Sequence, residues 1–243
     1  MHPLAASVGL SVLGSLGGLL VASIFLLLGD NLRLRLVPWL ISYAVGTLLG
    51  VALLALLPEA LDELESRPVF LTLIGGILSF FVLEKFVLWR HCHDDEECHV
   101  HSTAASLVIL GDAFHTFADG AVIAAAVVTS LPLGITTAIA VATHEIPQEV
   151  GDVAILLRAG YSRGRAFMLN LMSGAGGILG ATAMIAASRT VPQALPYVIA
   201  FAAGNFLYVA MADLIPDLHR GGTSGAGRQL ILIAAGVITI ALL

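Results

Sequence analysis

The 243-residue chain is 58% hydrophobic and only 12% charged, with a mean hydropathy of +0.96. Soluble domains carry about 25% charged residues, so the composition excludes an ordinary soluble protein and leaves no length for a large soluble domain beside a membrane bundle. A formal net charge of -6, with acidic residues gathered in one loop and in two apolar segments, argues against nucleic acid as a partner.

Eight stretches come near the roughly 20 apolar residues that cross a bilayer as a helix. They are 4–28, 36–57, 69–90, 102–129, 133–158, 164–188, 195–215 and 228–243, the last of them short. The runs are continuous and lack the alternation, over about ten residues, of a membrane barrel strand. The expected fold class is all-α and integral to the membrane: eight transmembrane helices in one bundle, a single domain over residues 1–243. The first run lacks the basic start and cleavage site of a secretory signal, so it is expected to stay as the first helix. With eight crossings, the connections after the first, third, fifth and seventh helices share a side. That side receives Arg33, Arg35, Lys85, Arg90, Arg158, Arg163, Arg165, Arg220 and Arg228, nine of the 11 basic residues; Arg67 and Arg189 fall on the other. Basic residues collect on the cytoplasmic face, which puts both termini outside.

The first helix carries Ser11, Gly14, Ser15, Gly17 and Gly18, and the sixth carries Ser173, Gly174, Gly176, Gly177 and Gly180. Small residues at such spacing let membrane helices approach closely, where packing replaces the missing hydrophobic drive. Glu59, Asp62, Glu63 and Glu65 form an acidic run on the outer side; such a run is more often a solvated face than an entrance that concentrates cations. On the cytoplasmic side His91, Cys92, His93, Cys98, His99 and His101 crowd into one loop with Asp94, Asp95, Glu96 and Glu97. Two cysteines within one loop make no disulfide framework, and their spacing is not that of a zinc finger. The donor types suit an exchangeable metal-binding loop over 91–101.

The fourth and fifth helices hold what a bilayer should reject. Asp112, His115 and Asp119 recur at spacings of three and four and so share one face of the fourth. On the fifth, His144 and Gln148 are four apart, with Glu145, Glu149 and Asp152 on a neighbouring stripe. An ionisable group at membrane depth costs at least about 2.5 kcal/mol and signals function by default. If the fourth helix starts near Thr103, His115 lies roughly 18 Å along it, and His144 lies roughly 16 Å into the fifth from the other side. Both depths fall near the middle of a hydrocarbon core about 30 Å thick, where transport sites sit. Pro147 frees the carbonyl of Thr143, and freed backbone at that depth is tolerated where it lines a cavity. Two histidines and five carboxylates without a nearby basic partner exceed what a structural network needs. They call for a cation, and Asp112, His115, Asp119, His144, Glu145, Glu149 and Asp152 are its candidate ligands.

The segment His115-Thr116-Phe117-Ala118-Asp119-Gly120 resembles the HNF-x-(D/E)-G motif in the fourth helix of the ZIP (Zrt/Irt-like) family of metal transporters. His144-Glu145-Ile146-Pro147-Gln148-Glu149-Val150-Gly151-Asp152 resembles the HE-x-PHE-x-GD motif of its fifth, in the version of the histidine-rich subfamily. The likeness continues through Ala154 to Gly160. It reappears from Val45-Gly46 to Pro58-Glu59-Ala60, in Leu83-Glu84-Lys85-Phe86, and from Phe206-Leu207-Tyr208 to Leu214-Ile215-Pro216. It implies eight helices, outside termini and alternating access by one bundle moving against another. It also implies His115, Asp119 and Gln148 as ligands of the main transport site, with His144 and Glu145 as neighbouring ligands. Thr116 stands where the family usually has asparagine, and Gln148 where it has histidine or glutamate; glutamine is a weaker, neutral ligand, so either a lower affinity or a coordination shifted toward Glu145 is expected. The sixth helix has no carboxylate between Gly164 and Ser188, which argues against a second tightly held metal.

The expected function is transport of a divalent transition metal into the cytoplasm, zinc first, with iron, manganese and cadmium as alternatives. Asp112, Glu149 and Asp152 would be stepping sites toward the cytoplasmic mouth. No GxxxxGK[ST] phosphate loop is present, so gradients drive the flux. No cofactor is expected beyond the transported ion; the partners are that ion and the lipid bilayer, a homodimer is compatible, and a bacterial inner membrane is the default location. Two rivals remain. An intramembrane zinc enzyme would use His144-Glu145 as the start of HExxH, but Gln148 replaces the second histidine and Pro147 interrupts the helix. A membrane metal sensor acting through 91–101 would bind without flux.

Overall fold

The computed structural model describes residues 3–27, 30–89, 100–220 and 225–243. Apart from short connections these residues form eight helices: α1 (Pro3–Leu27), α2 (30–63), α3 (Ser66–Trp89), α4 (Val100–Thr129), α5 (Leu131–Arg158), α6 (Arg163–Thr190), α7 (195–220) and α8 (Ala226–Ala241). Helices are the natural answer for apolar runs, because each backbone N–H and C=O finds its partner within the segment and needs no water. Among the described residues, six stretches are able by length and composition to cross a membrane: Pro3–Ile24, Arg35–Glu63, Ser66–Leu83, Ile109–Thr129, Arg163–Thr190 and Pro192–His219. The two helices outside that set are α5, with its run of ionisable residues, and α8, with only 16 residues.

Helices α2 and α7 are each interrupted by a wider π-helical turn, Val51–Leu56 and Val209–Leu214. Leu57 N–H bonds to Ala52 O and Ile215 N–H to Ala210 O, five residues back in both cases. A proline follows each turn, Pro58 and Pro216, and the wider turn takes up the ring while the hydrogen-bonded ladder goes on. Gly46 and Pro58 in α2 recur at the same spacing as Gly204 and Pro216 in α7.

This correspondence extends to packing. Helix α2 packs on α8 as α7 packs on α3, and α1 lies along α5 as α6 lies along α4. Exchanging α1–α3 with α6–α8, and α4 with α5, turns each of these contacts into another. Helices five places apart in an up-and-down bundle run in opposite senses, so the two sets form an inverted repeat around the α4–α5 pair. The repeat contacts are backbone to backbone. A Cβ at Gly46 would strike the carbonyl of Ile233, and one at Gly204 the carbonyl of Leu73. The small residues of α6 serve the same end, because a Cβ at Gly180 would strike the carbonyl of Phe117 on α4.

Candidate metal centre

Helices α4 and α5 are joined at Ser130, whose backbone is extended and whose hydroxyl accepts from Leu133 N at 3.3 Å to cap α5. Proline at 132 suits the first turn, where its missing N–H costs nothing. The two helices therefore return antiparallel from a single point. His115 and His144 are almost equidistant from Ser130 in sequence, so each lies roughly 21–23 Å from the turn at 1.5 Å per residue. The hairpin alone brings them level.

At that level the two imidazoles meet. Nε2 of His115 lies 3.1 Å from Nε2 of His144, with the rings nearly perpendicular at 87°. Oδ2 of Asp119 lies 3.1 Å from His144 Nε2 and 3.6 Å from His115 Nε2. His144 Nδ1 is 3.0 Å from the carbonyl of Ala140. That carbonyl only accepts, so Nδ1 carries the proton and Nε2 keeps its lone pair for a ligand. Glu145 completes the group: one ligand atom from each of His115, Asp119, His144 and Glu145 lies within 4.8 Å of every other. Phe80 and Phe206 close the flanks, each 5.9 Å from an imidazole centroid in edge-on contact with His115 and His144 respectively.

All four side chains are buried, Glu145 completely. Both Glu145 oxygens and Oδ2 of Asp119 have no hydrogen-bond partner, and among the described residues no lysine or arginine pairs with them. Buried carboxylates without a partner are costly, so the arrangement is one that a cation stabilises.

Four further candidates lie beyond this group. Asp112 accepts from Gln148 Nε2 at 3.2 Å and from the Ser173 hydroxyl of α6. Gln148 is thus turned to Asp112. Glu149, fully buried, has neither oxygen partnered, and it joins Asp112 and Glu145 in a second close group. Asp152 is half-buried.

A cavity of about 420 Å³ reaches the centre, lined among others by Asp112, His115, Gln148 and Asp152. Its walls come from the N-terminal parts of α2 and α4 and the C-terminal parts of α3, α5 and α7, so it opens on one end of the bundle. That is the end toward which the basic residues collect. At the opposite end a second cavity of about 460 Å³ is lined by Glu59 and Glu63 from the acidic run, with Thr129 and Gln193. Between the two, α7 buries Ile199, Ala200, Ala202, Ala203 and Phe206 in the apolar core.

His91, Cys92, His93, Cys98 and His99 lie outside the described residues, as does the side chain of His101. Four participants are not marked by the sequence pattern as site residues: Ser173, whose small size fits it for helix packing, Phe80, and the cavity residues Asp213 and Asp217. The two aspartates were findable, being acidic groups within an apolar span beside Pro216. Ser173 and Phe80 carry no such mark.

A family model described as ZIP zinc transporter matches residues 88–243. The chain belongs to the ZIP zinc transporter family. Among its relatives, zinc transporter ZIP13 of Pongo abelii is 34% identical over 235 residues, covering 88% of this chain and 70% of that protein. The human ZIP13 is 30% identical over 273 residues, covering 88% and 74%. Human zinc transporter ZIP10 is 37% identical over 144 residues, 55% of this chain but 17% of that much longer protein. This is a family of transporters, so the enzyme alternative is set aside. These relatives are animal proteins and lend the bacterial-membrane expectation no support.

Proposed function

We propose that the chain carries a divalent transition metal, zinc foremost, across the membrane and into the cytoplasm, with His115, Asp119, His144 and Glu145 as the transport site. One observation carries this reading. Zinc bonds of about 2.0–2.2 Å in a tetrahedron set neighbouring ligand atoms about 3.3 Å apart. The three separations among His115 Nε2, His144 Nε2 and Asp119 Oδ2, 3.1, 3.1 and 3.6 Å, bracket that edge. Two neutral imidazoles supply borderline nitrogen donors, and two carboxylates cancel the charge of the ion.

The cavity at the basic end of the bundle supports the inward direction. The centre connects to the end where basic residues gather, which is the cytoplasmic face, with both termini outside. An ion leaving the centre meets Asp152, then Asp213 and Asp217 along the cavity wall. The Glu59 and Glu63 cavity is the outer vestibule, and the buried α7 segment closes it from the site until the bundle moves. Gln148, held by Asp112, reaches the ion only after giving up that bond.

The test is zinc entry into proteoliposomes loaded with a zinc-sensitive dye, comparing wild type with His115→Ala and His144→Ala. Entry in wild type that both substitutions abolish is the expected result. Zinc binding without entry in wild type would make the protein a membrane metal sensor instead.

A further inference from the structure

We infer that Gly18 of α1 is a positioning residue for the ion: its missing side chain leaves the space in which Glu145 stands, so α1 sets where the fourth ligand of the centre lies. The inference rests on the proposed function for one point, that Glu145 ligates the ion.

Glu145 differs from the other three ligands in what holds it. His144 is oriented by the carbonyl of Ala140, His115 meets the edge of Phe80, and Asp119 lies against both imidazoles. Neither oxygen of Glu145 has a hydrogen-bond partner, although the residue is 0% exposed. Packing must place it instead. Helix α1 supplies that packing at Gly18, where an added Cβ would come 3.0 Å from Glu145 Cβ, 3.6 Å from its carbonyl carbon and 3.7 Å from Ile146 N. Non-bonded carbons are at their best about 3.5–4.0 Å apart, so any side chain at position 18 pushes Glu145 by a few tenths of an ångström.

The same helix provides the comparison. One turn earlier Gly14 faces Val141, where an added Cβ would make an ordinary contact at 3.5 Å, and Gly17 has nothing within 4 Å. The pairs Gly14–Val141 and Gly18–Glu145 advance by one turn on each helix together, so α1 and α5 run side by side in one register here. Carried one turn further, that register sets the fully buried Ala22 level with Glu149. Small residues are usual where membrane helices pack closely. At Gly18 the residue they approach is an unpartnered carboxylate, so the closeness of α1 fixes a ligand as well as the fold. Groups that orient a metal ligand are commonly worth about 10–100-fold in affinity.

The experiment measures zinc dissociation constants by competition with a chromophoric chelator, on the purified full-length chain with Cys92 and Cys98 changed to serine. Gly18→Ala is expected to weaken zinc binding about tenfold, while Gly17→Ala and Gly14→Ala stay within about twofold of the parent. Glu145→Ala removes the carboxylate but keeps the Cβ, so the steric contact with position 18 persists without the ligand. Adding Gly18→Ala to Glu145→Ala is therefore expected to cost no further zinc affinity. Unchanged affinity in Gly18→Ala overturns the positioning role, and so does an equal loss with and without the Glu145 carboxylate. It is also overturned if Gly18→Ala fails to elute as monodisperse protein while Gly17→Ala and Gly14→Ala do, since the contact would then serve stability. A parent chain that binds no zinc overturns the proposed function, and this inference with it.

Discussion

Helix α4 turns two unlike faces to its neighbours. Toward α5 it presents Asp112, His115 and Asp119, and the contact is a set of ligand atoms at 3.1–3.6 Å. Toward α6 it presents backbone and small groups, with Gly120 against Gly177, Phe117 O against Gly180, and Thr116 Oγ1 donating to Ser173 O at 2.9 Å. The first interface leaves charge uncompensated; the second brings backbone against backbone at its glycines. The difference separates the ion's place from the backing that holds it. A ligand set is useful only if its helix cannot shift by a fraction of an ångström, and a contact made through backbone gives that rigidity without bulk.

The largest effect is expected where the close contact is broken. Gly180→Leu would drive its side chain into the carbonyl of Phe117 and cost more than about 3 kcal/mol, seen as loss of monodisperse protein in size-exclusion chromatography. His144→Ala attacks the other face and should leave the fold standing while zinc uptake falls about 100-fold or more, since it removes a ligand outright. Thr116→Val removes one interhelical hydrogen bond, worth about 0.6 kcal/mol in a membrane protein, and should lower the thermal midpoint slightly with uptake near that of wild type. Smallest of all is Gly164→Ala, also on α6 but with nothing within 4 Å of the new Cβ; its stability should change by less than about 1 kcal/mol, toward greater stability. If Gly180→Leu and Gly164→Ala behaved alike, the distinction between the faces of α4 would fail.

Much of this organisation is legible in the sequence, and the rest is hidden for identifiable reasons. The eight helices follow from apolar runs that only a helix can carry through lipid. The level of His115 with His144 follows from counting along two helices, because a turn as short as Ser130 fixes their register. The inverted repeat is harder to see, since α2 and α7 share little beyond a glycine, a proline and the apolar residues between them. The partner of Gln148 is not readable at all: a side chain one turn along from a ligand is free to face the ion or a neighbouring carboxylate, and only the packing of α4 against α5 decides for Asp112. Glu149 shows the same limit. The sequence marks it as costly at that depth, while its grouping with Asp112 and Glu145 depends on three-dimensional contact.

The central claim is that two imidazoles and two carboxylates hold the transported ion together. Zinc K-edge X-ray absorption of the full-length chain at one equivalent of zinc, with Cys92 and Cys98 changed to serine to exclude sulfur from the loop, tests it most directly. The expected spectrum shows nearest neighbours of nitrogen and oxygen at about 2.0–2.2 Å with scattering from two imidazoles, reduced to one in His144→Ala. An all-oxygen shell, or an imidazole count that His144→Ala leaves unchanged, would contradict it.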